Sequence, residues 1–343
     1  MRSLRIPKWT RLAAVTAAIV TVTAAAACSS PSSTSTSAGA AGTGGATASA
    51  AAAGSGTGNT VNPTWPTSII FGEVGASNAT TLLQTLAPLQ KLMQAKMDVK
   101  LNVVTGTSYA AMIEAQQAGK AQLVSYGPFS YWIALNHGLK VQNVGLVTSA
   151  PNTDGGYYSY GVVDPQRTPD IKTIKDAAGK KTCFSDPAST SGYLYPSYGL
   201  LQAGISPATG VTPVFAGSDS TTAIDVAQGS CQVGFTNNFS LPTIYTSNHI
   251  AKSAIKIIWT SPEIPANPIA ASDSLPSSFR NALENLLVTD GNSAYFAAHG
   301  YCSSVSACTT VTGQYGFASP SLANYNTIGN ICKLTKSPSC NLS

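Results

Sequence analysis

From Thr67 onward, the apolar residues of this chain follow two spacings in turn. Short apolar or alternating runs predict strands, whereas spacings of three and four residues predict helices. Up to Gly138 the order is strand, helix, strand, helix, strand, helix, in the segments TSIIFGEVG, NATTLLQTLAPLQKLMQAKM, DVKLNVVTG, SYAAMIEAQQAGK, AQLVSYGPFS and YWIALNHG. This alternation predicts an α/β sheet of parallel strands, with ligands gathering at the carboxyl ends of the strands.

A second series of strands and helices follows the extended segment YYSYGVVD. It runs through TCFSDP, a helix from Ser189 to Ala203, GVTPVFAG, STTAIDVAQGS and CQVGFTNN. IKIIWTSPEIP predicts a further strand, and helices are predicted near 276–298 and 321–330. The two series therefore predict two α/β units within one chain.

The order of these elements predicts two lobes. We expect the chain to cross between them in two extended segments, near 158–164 and 256–263. Lobe 1 then comprises residues 66–160 and 261–343, and lobe 2 comprises residues 161–260. The cleft between the lobes is the natural ligand site, because small-molecule sites form preferentially at such interfaces.

The N-terminal part of the chain carries export signals instead of fold elements. Residues 1–27 combine four basic residues with an alanine-rich apolar run, which predicts a signal peptide and is too short for a confident membrane span. Cys28 follows three alanines, as in the lipidation site of bacterial lipoproteins; the alternative is a plain cleaved signal. Residues 28–65 are then the lipidated cysteine and a disordered tether, almost entirely Ser, Thr, Ala and Gly. We expect an exported protein, lipid-anchored on the outer face of the cell membrane.

The charge balance excludes one class of partner. The chain has 19 Lys and Arg against 14 Asp and Glu, and four of the basic residues belong to the signal. The mature protein is therefore nearly neutral. No basic run follows Arg11, so we expect no nucleic-acid partner.

Six cysteines remain after Cys28, and an even number in an exported chain predicts disulfides. Cys183 and Cys231 each begin a strand-like run, so we expect them to join neighbouring strands. The four C-terminal cysteines allow three pairings, of which we favour the short loops Cys302 to Cys308 and Cys332 to Cys340. Zinc is the alternative, but CxxC pairs and clustered histidines are missing from the sequence, so we expect no metal.

The segment SDPASTSGYLYP at 185–196 gathers three successive hydroxyl residues before a helix. Ser, Thr and Asp in such a place commonly cap a helix N-terminus. The same geometry presents free N–H groups and the positive end of the helix dipole, which together form an anion site. Both interpretations stay open from this segment alone.

Five motifs in order give the chain a family resemblance between about Ser68 and Pro268. They are SYAAMIEAQQAGKAQLVSYGPFSYWIAL, GGYYSYGVV, DPASTSGYLYP, VFAGSDSTTAIDVAQGSCQVGFTNN and SPEIPANP. With these motifs the sequence resembles the phosphonate- and phosphite-binding proteins of bacterial ABC importers. The resemblance implies the two-lobed type II periplasmic-binding-protein fold, each lobe a mixed sheet flanked by helices, with the ligand in the cleft between lobes. It also implies a monomer without a cofactor, which delivers a small phosphorus oxyanion (phosphonate, phosphite or phosphate) to a permease and its ATPase.

The resemblance also implies which residues bind the ligand. The hydroxyls of Ser189, Thr190 and Ser191 would hold the phosphorus oxygens, together with N–H groups through Gly192. Other residues would close the site from lobe 1 and from the crossing: Tyr109, backbone donors around Tyr126 and Gly127, and Tyr158 or its neighbour Tyr157. Four to six neutral donors suffice without an arginine, because each hydrogen bond to an anion contributes about 1.5–3 kcal/mol.

Three positions depart from the family pattern. Asp219 stands where a histidine is common, Ser240 where a glutamate is common, and Asn267 where the family has an aspartate. Without that acidic pair an amine-bearing ligand loses its counter-charge. Asp219 would repel a fully ionised oxyanion and accept a hydrogen bond from one that keeps a P–OH group. The alternative for Asp219 is a solvated residue that caps the following helix.

Competing functions fit the sequence less well. A secreted serine hydrolase requires a G-x-S-x-G turn, which is absent, and GYYSYG at 156–161 has its serine one position off. His137, His249 and His299 show no spacing for a metal site or a triad. A receptor for another small ligand, such as a sulfonate, and a tethered sensor remain alternatives. We therefore predict a binding protein and not an enzyme.

Overall fold

The computed structural model describes residues 59–75, 79–247 and 250–340. The expected signal peptide, Cys28, most of the tether and His249 lie outside the described residues. Within them the strands are β1 Ser68–Val74, β2 Lys100–Gly106, β3 Leu123–Ser125, β4 Val141–Thr148, β5 Ser159–Val163, β6 Lys181–Phe184, β7 Thr212–Phe215, β8 Val233–Asn237, β9 Lys256–Thr260, β10 Pro268–Ser272 and β11 Gly316–Ala318. The α-helices are α1 Ala79–Met97, α2 Tyr109–Gln117, α3 Pro128–Asn136, α4 Tyr195–Gln202, α5 Asp219–Gln228, α6 Ser240–Ser247, α7 Ser277–Asp290, α8 Ser293–Ala298 and α9 Asn326–Thr335.

The strands form two mixed sheets. Sheet 1 has the order β11-β4-β10-β3-β1-β2, and sheet 2 has the order β7-β6-β8-β5-β9. In sheet 1 the strand β1 is parallel to β2 and β3, whereas β10 is antiparallel to β3 and β4. In sheet 2 the strand β6 is parallel to β7 and β8, whereas β5 is antiparallel to β8 and β9. Antiparallel strands enter both sheets because the chain crosses from one lobe to the other and returns.

The two crossings differ from those expected. The segments near 158–164 and 256–263 contain β5 and β9, which pair with each other at Tyr160 and Thr260 inside sheet 2. The chain changes sheets immediately before β5 and after β9, where Tyr157 and Ile264 exchange two backbone hydrogen bonds of 3.0 and 2.8 Å. The expected boundary at residue 160 therefore falls inside a strand. An extended crossing and an edge strand look alike in sequence, and only the pairing partner distinguishes them.

Each sheet buries an apolar face against helices. Ile69 and Phe71 of β1 point into one core with Leu89 and Met93 of α1. In lobe 2 the core contains Phe184, among others. Alternate residues of a strand point to the same face of the sheet. The apolar residues that predict the strands therefore lie together on the faces that pack against helices.

The helix α9 packs against both lobes. Its Ile328 and Ile331 pack in a cluster with Tyr131 of α3 and with Leu194 and Tyr195 next to the hydroxyl segment. The predicted helix near 321–330 begins only at Asn326. No helix in the described part of the chain is long and apolar enough to span a membrane.

Three disulfides link the six cysteines of the described chain. Cys183 bonds to Cys231, Cys302 to Cys308, and Cys332 to Cys340. These are the pairs favoured from the sequence. The first disulfide joins β6 to the residue two before β8, and β6 and β8 are neighbours paired at Thr182 and Val233.

Removing the first disulfide is expected to destabilise the protein more than removing the second. The Cys183–Cys231 loop separates its ends by 48 residues, against 6 for Cys302–Cys308. Loop-closure entropy then gives about 4 kcal/mol for the longer loop and about 2 kcal/mol for the shorter one. Urea unfolding of the two double alanine variants measures both losses. Equal losses, or a larger loss for the short loop, would contradict this ranking.

Candidate functional site

The hydroxyl segment forms the turn between β6 and α4. Ser189 is extended and its Oγ accepts the Gly192 N–H at 3.0 Å, so it caps the helix start. Thr190–Leu194 form one π-helical turn, a form of helix found frequently at functional sites. The first N–H groups of a helix have no acceptor within it. The capping and anion-site interpretations are thus compatible, since the cap orders the turn that would hold the anion.

This turn lines a polar cavity of about 190 Å³ between the two sheets. Residues of both lobes and both crossings form its walls, and they are Glu73, Val74, Gly75, Tyr109, Gly127, Tyr157, Ser189, Thr190, Ser191, Ser218, Asp219, Ser220, Asn237, Phe239, Ser240, Thr243, Asn267 and Thr312. Eight of the predicted ligand-binding residues are among them: Tyr109, Gly127, Ser189, Thr190, Ser191, Asp219, Ser240 and Asn267. The structure therefore brings together residues that are more than 150 positions apart in the chain.

Direct contacts hold the cleft closed beside the cavity. The Phe129 N–H at the start of α3 donates to Thr190 Oγ1 at 2.9 Å. The Tyr109 N–H at the start of α2 donates to the carboxylate of Asp186. Thr190 can approach the start of α3 because residue 127 is a glycine, since a Cβ atom at Gly127 would lie 2.7 Å from Thr190 Oγ1. The N-termini of two lobe 1 helices thus meet polar side chains of lobe 2.

A half-buried tyrosine, Tyr109, and a buried one, Tyr157, line the cavity with their side chains. Burial raises the pKa of Tyr109 well above its usual value, and the negative charge of Asp219 raises it further. Burial likewise raises the pKa of Tyr157, whose hydroxyl interacts with those of Thr190 and Ser191. Both phenols therefore keep their protons at neutral pH. Tyr157 also stacks on Phe239, with ring centroids 5.4 Å apart.

Asp219 lies against the hydroxyl turn. Its Oδ1 accepts a hydrogen bond from Ser191 Oγ at 3.3 Å. Burial raises the pKa of Asp219 to about 7, although hydrogen bonds from Ser191, Asn237 and its own N–H act in the opposite direction. Ser218 caps α5 by accepting the Thr221 N–H at 3.0 Å, so Asp219 is not the cap.

Glu73 is a cavity residue that the sequence analysis missed. It lies near the carboxyl end of β1, in the row that begins with Ile69 and Phe71, and only 7% of its surface is exposed. Burial raises the pKa of Glu73 to about 7. Among the described residues its Oε2 has no hydrogen-bond partner. One feature of the sequence could have identified Glu73 as a site residue, namely its position as an acidic residue at the carboxyl end of a predicted strand, where ligands gather.

Two predicted tyrosines lie outside the cavity. The Tyr126 N–H donates to Pro268 O at 3.1 Å in sheet 1, and its hydroxyl donates to Gln116 Oε1 at 3.1 Å. Tyr126 therefore has no donor left for a ligand. Tyr158 is 37% exposed, and its neighbour Tyr157 occupies the wall instead, because successive residues of an extended segment point to opposite sides.

Gly192 supports the turn and does not line the cavity. Its N–H is bonded to Ser189 Oγ, and a Cβ atom on Gly192 would lie 1.7 Å from Ser185 Oγ.

Asn237 is a second cavity residue that the sequence analysis missed, and its Oδ1 accepts the Ser240 N–H and hydroxyl at 2.9 and 3.1 Å. Asn267 Oδ1, by contrast, has no partner among the described residues.

The chemistry of the cavity is that of neutral donors with two carboxyl groups. No Lys, Arg or His is among the described residues that line it. The described chain also contains no group of three or more His, Cys, Asp or Glu that could hold a metal ion. Such a cavity suits a small anion that brings its own protons to the carboxyl groups.

Sequence comparison identifies the family. The family model described as "ABC transporter, phosphonate, periplasmic substrate-binding protein" matches residues 71–324. The phosphate-import protein PhnD of Mycolicibacterium smegmatis is 29% identical over 290 residues, which cover 82% of this chain and 90% of the relative. The phosphonates-binding periplasmic protein of Escherichia coli is 27% identical over 226 residues, which cover 64% of this chain and 65% of the relative.

Solved structures show the same fold. A binding-protein component of a phosphonate transporter from Pseudomonas aeruginosa has a TM-score of 0.65 at 20% identity, covering 79% of this chain and 87% of that chain. PhnD1 from Prochlorococcus marinus, in complex with methylphosphonate, has a TM-score of 0.63 at 18% identity, covering 79% and 99%. The predicted two-lobed α/β fold is thereby confirmed. Because the family model spans well over half of the chain, the protein belongs to the periplasmic phosphonate-binding proteins, which are the substrate-binding components of ABC transporters and not enzymes.

Proposed function

We propose that the cavity binds a small phosphorus oxyanion that retains a P–OH group, in the class of phosphonate, phosphite or phosphate. The observation that carries this proposal is the pair Ser191 and Asp219, in which a hydroxyl of the anion turn bonds to a carboxyl group inside the cavity. The phosphate-import relative from M. smegmatis is consistent with this ligand class.

The hydroxyl turn grips the phosphorus oxygens. Thr190 and Ser191 line the cavity together with Tyr109 and Tyr157. The donors to the ligand are the N–H groups of the turn and the hydroxyls of Thr190, Tyr109 and Tyr157, because the Ser191 hydroxyl donates to Asp219. Each hydrogen bond to the anion contributes about 1.5–3 kcal/mol, so a few of them replace a missing cation. A site without full counter-charge also releases its ligand to the permease.

Asp219 selects for the proton. An ionised carboxylate and a fully ionised oxyanion repel each other at hydrogen-bonding distance, unless a hydrogen atom lies between them. A phosphorus oxyanion with a P–OH group supplies that hydrogen. Sulfate carries no proton, so it is rejected where Asp219 is ionised, above its pKa of about 7.

The anchoring proposal rests on the sequence alone. We propose that Cys28 carries a lipid and that the residues up to 58 tether the protein to the outer face of the membrane. The expected tether of residues 28–65 is too long at its end, because Asn59 donates to Met97 O at 2.7 Å and Trp65 packs on Phe279. The protein then works as a monomer beside its permease, because one chain provides both walls of the cavity.

Changing Asp219 to Asn is expected to relax the selection against sulfate. At about pH 8, where Asp219 is ionised, the wild type should bind phosphate, phosphite or methylphosphonate and show no measurable heat with sulfate in calorimetric titration. Asp219→Asn should gain sulfate binding, because an amide can donate to an oxyanion that has no proton.

Asp170→Asn is the matched control, since Asp170 is an exposed residue of lobe 2 outside the cavity. It should leave every affinity unchanged. Selectivity that is the same in wild type and Asp219→Asn would rule out the role of Asp219. A ligand at 100 times its dissociation constant stabilises the folded state by about 2.7 kcal/mol, so absence of a thermal shift with all phosphorus oxyanions would rule out the ligand class.

The ligand-free protein is expected to lose stability as pH rises from about 4.5 to 7. Between these values the folded state keeps on Glu73 a proton that the unfolded chain has released, so raising the pH favours unfolding. The full effect is of the order of 3 kcal/mol. Urea unfolding of wild type and Glu73→Gln across this range measures it. In Glu73→Gln the free energy of unfolding should fall less steeply between these pH values. The same dependence on pH in both proteins would contradict a raised pKa of Glu73.

Lipid attachment is expected to depend on Cys28. Metabolic labelling with a fatty-acid analogue should mark the wild type and leave Cys28→Ser unlabelled, and the variant should leave the membrane fraction. Labelling of Cys28→Ser, or no labelling of the wild type, would contradict the anchor. Neither result would affect the ligand proposal.

A further inference from the structure

Glu73 provides a second carboxyl group to the ligand cavity. A ligand that places its single P–OH group at Asp219 gives Glu73 no role. Glu73 belongs to lobe 1 and lines the cavity with Val74 and Gly75. Only 7% of its surface is exposed. Among the described residues its Oε2 has no hydrogen-bond partner. A buried polar atom without a partner is costly, so this oxygen is matched to a group of the ligand.

The two carboxyl groups belong to facing walls. A Cβ atom on Gly75, two residues after Glu73, would lie 3.7 Å from Ser218 Cβ, and Ser218 directly precedes Asp219. The β1 end of lobe 1 therefore meets the start of α5 in lobe 2. Asp219 accepts a hydrogen bond from Ser191, whereas no hydroxyl among the described residues bonds to Glu73 Oε2. The ligand thus lies between a carboxyl group that is already bonded to the anion turn and one that is not.

The charges in the cavity define what the ligand must offer at Glu73. Among the described residues no cation lines the cavity, and no salt bridge includes either carboxyl group. Above pH 7, where both carboxyl groups are ionised, each contact between a carboxylate and an anion therefore needs a hydrogen atom from the ligand. The P–OH group at Asp219 provides one of them. The contact with Glu73 requires a second.

We propose that Glu73 is a specificity-determining residue that selects phosphorus oxyanions with a second hydrogen-bond donor besides the P–OH group at Asp219. The inference rests on the proposed function of the cavity. The second donor is either another P–OH group, as in phosphate, or a hydroxyl group on the carbon substituent of a phosphonate. The singly charged anions of phosphite and methylphosphonate carry one P–OH group and no other strong donor. The cavity of about 190 Å³ has room for a substituent, since a water molecule occupies about 30 Å³ in the liquid.

Calorimetric titration with four ligands in one buffer at about pH 8, above the pKa of about 7 of both Glu73 and Asp219, tests this selection. Phosphate and hydroxymethylphosphonate offer the second donor, whereas phosphite and methylphosphonate do not. For the wild type we expect at least one of the first two ligands to bind tenfold or more tightly than both of the others. Which of the two is preferred distinguishes a second P–OH group from a substituent hydroxyl.

Glu73→Gln should reduce this affinity ratio about tenfold, because an amide both donates and accepts and therefore tolerates ligands with a single donor. Glu114→Gln removes the same charge from an exposed position on α2 and should leave the ratio unchanged. Glu73→Asp withdraws the carboxyl group by one methylene and should reduce the ratio as well. It provides a second test if Glu73→Gln fails to fold.

Two results would overturn the role of Glu73 while leaving the ligand class intact. One is a wild type that does not discriminate between the two ligand pairs. The other is an affinity ratio that stays the same in the folded Glu73 variants. A wild type that binds none of the four ligands would overturn the proposed function itself, so the two failures are distinguishable.

Discussion

The hydrogen bond from the Phe129 N–H to Thr190 Oγ1 is the contact on which the ligand cavity depends. It joins the N-terminus of a lobe 1 helix to the hydroxyl turn of lobe 2, and the absence of a side chain at Gly127 permits the approach. The Tyr109 N–H makes a second such contact with Asp186. The same helix ends that close the cleft therefore also bring tyrosine and hydroxyl donors around one small space.

A closed cavity without a cation has a strict requirement for hydrogen atoms. Glu73 and Asp219 approach it from different lobes, and burial raises the pKa of both to about 7. Above pH 7, where both carboxyl groups are ionised, a phosphorus oxyanion can supply the hydrogen atoms from its exchangeable protons, whereas a fully ionised tetrahedral anion cannot. Discrimination by protons thus follows from burial and from the absence of positive charge among the described lining residues. It needs no change in the hydroxyl turn, which can hold any tetrahedral oxyanion.

Sequence analysis predicted the parts of the site whose signals are local. The hydroxyl run 189–191 stands at the start of a helix, so helix-start chemistry identifies it, whereas Asp219 was identified through the family resemblance. The sequence left Tyr157 and Tyr158 as alternatives, because an extended segment gives no sign of which face meets the cavity. Glu73 was missed because its importance depends on the lobe 2 wall opposite, which contains residues about 145 positions later.

The sequence by itself determined the α/β elements, the hydroxyl turn and the even set of cysteines in the body, because these depend on spacing and on neighbours in the chain. Tertiary structure decided which extended segments pair in sheet 2, that the Tyr126 backbone is used inside sheet 1, and that Glu73 faces the ligand space. Burial, strand pairing and the meeting of the walls that contain Glu73 and Asp219 are properties of residues that come together only after folding. For that reason the class of ligand follows from local motifs, whereas the choice among ligands follows from the fold.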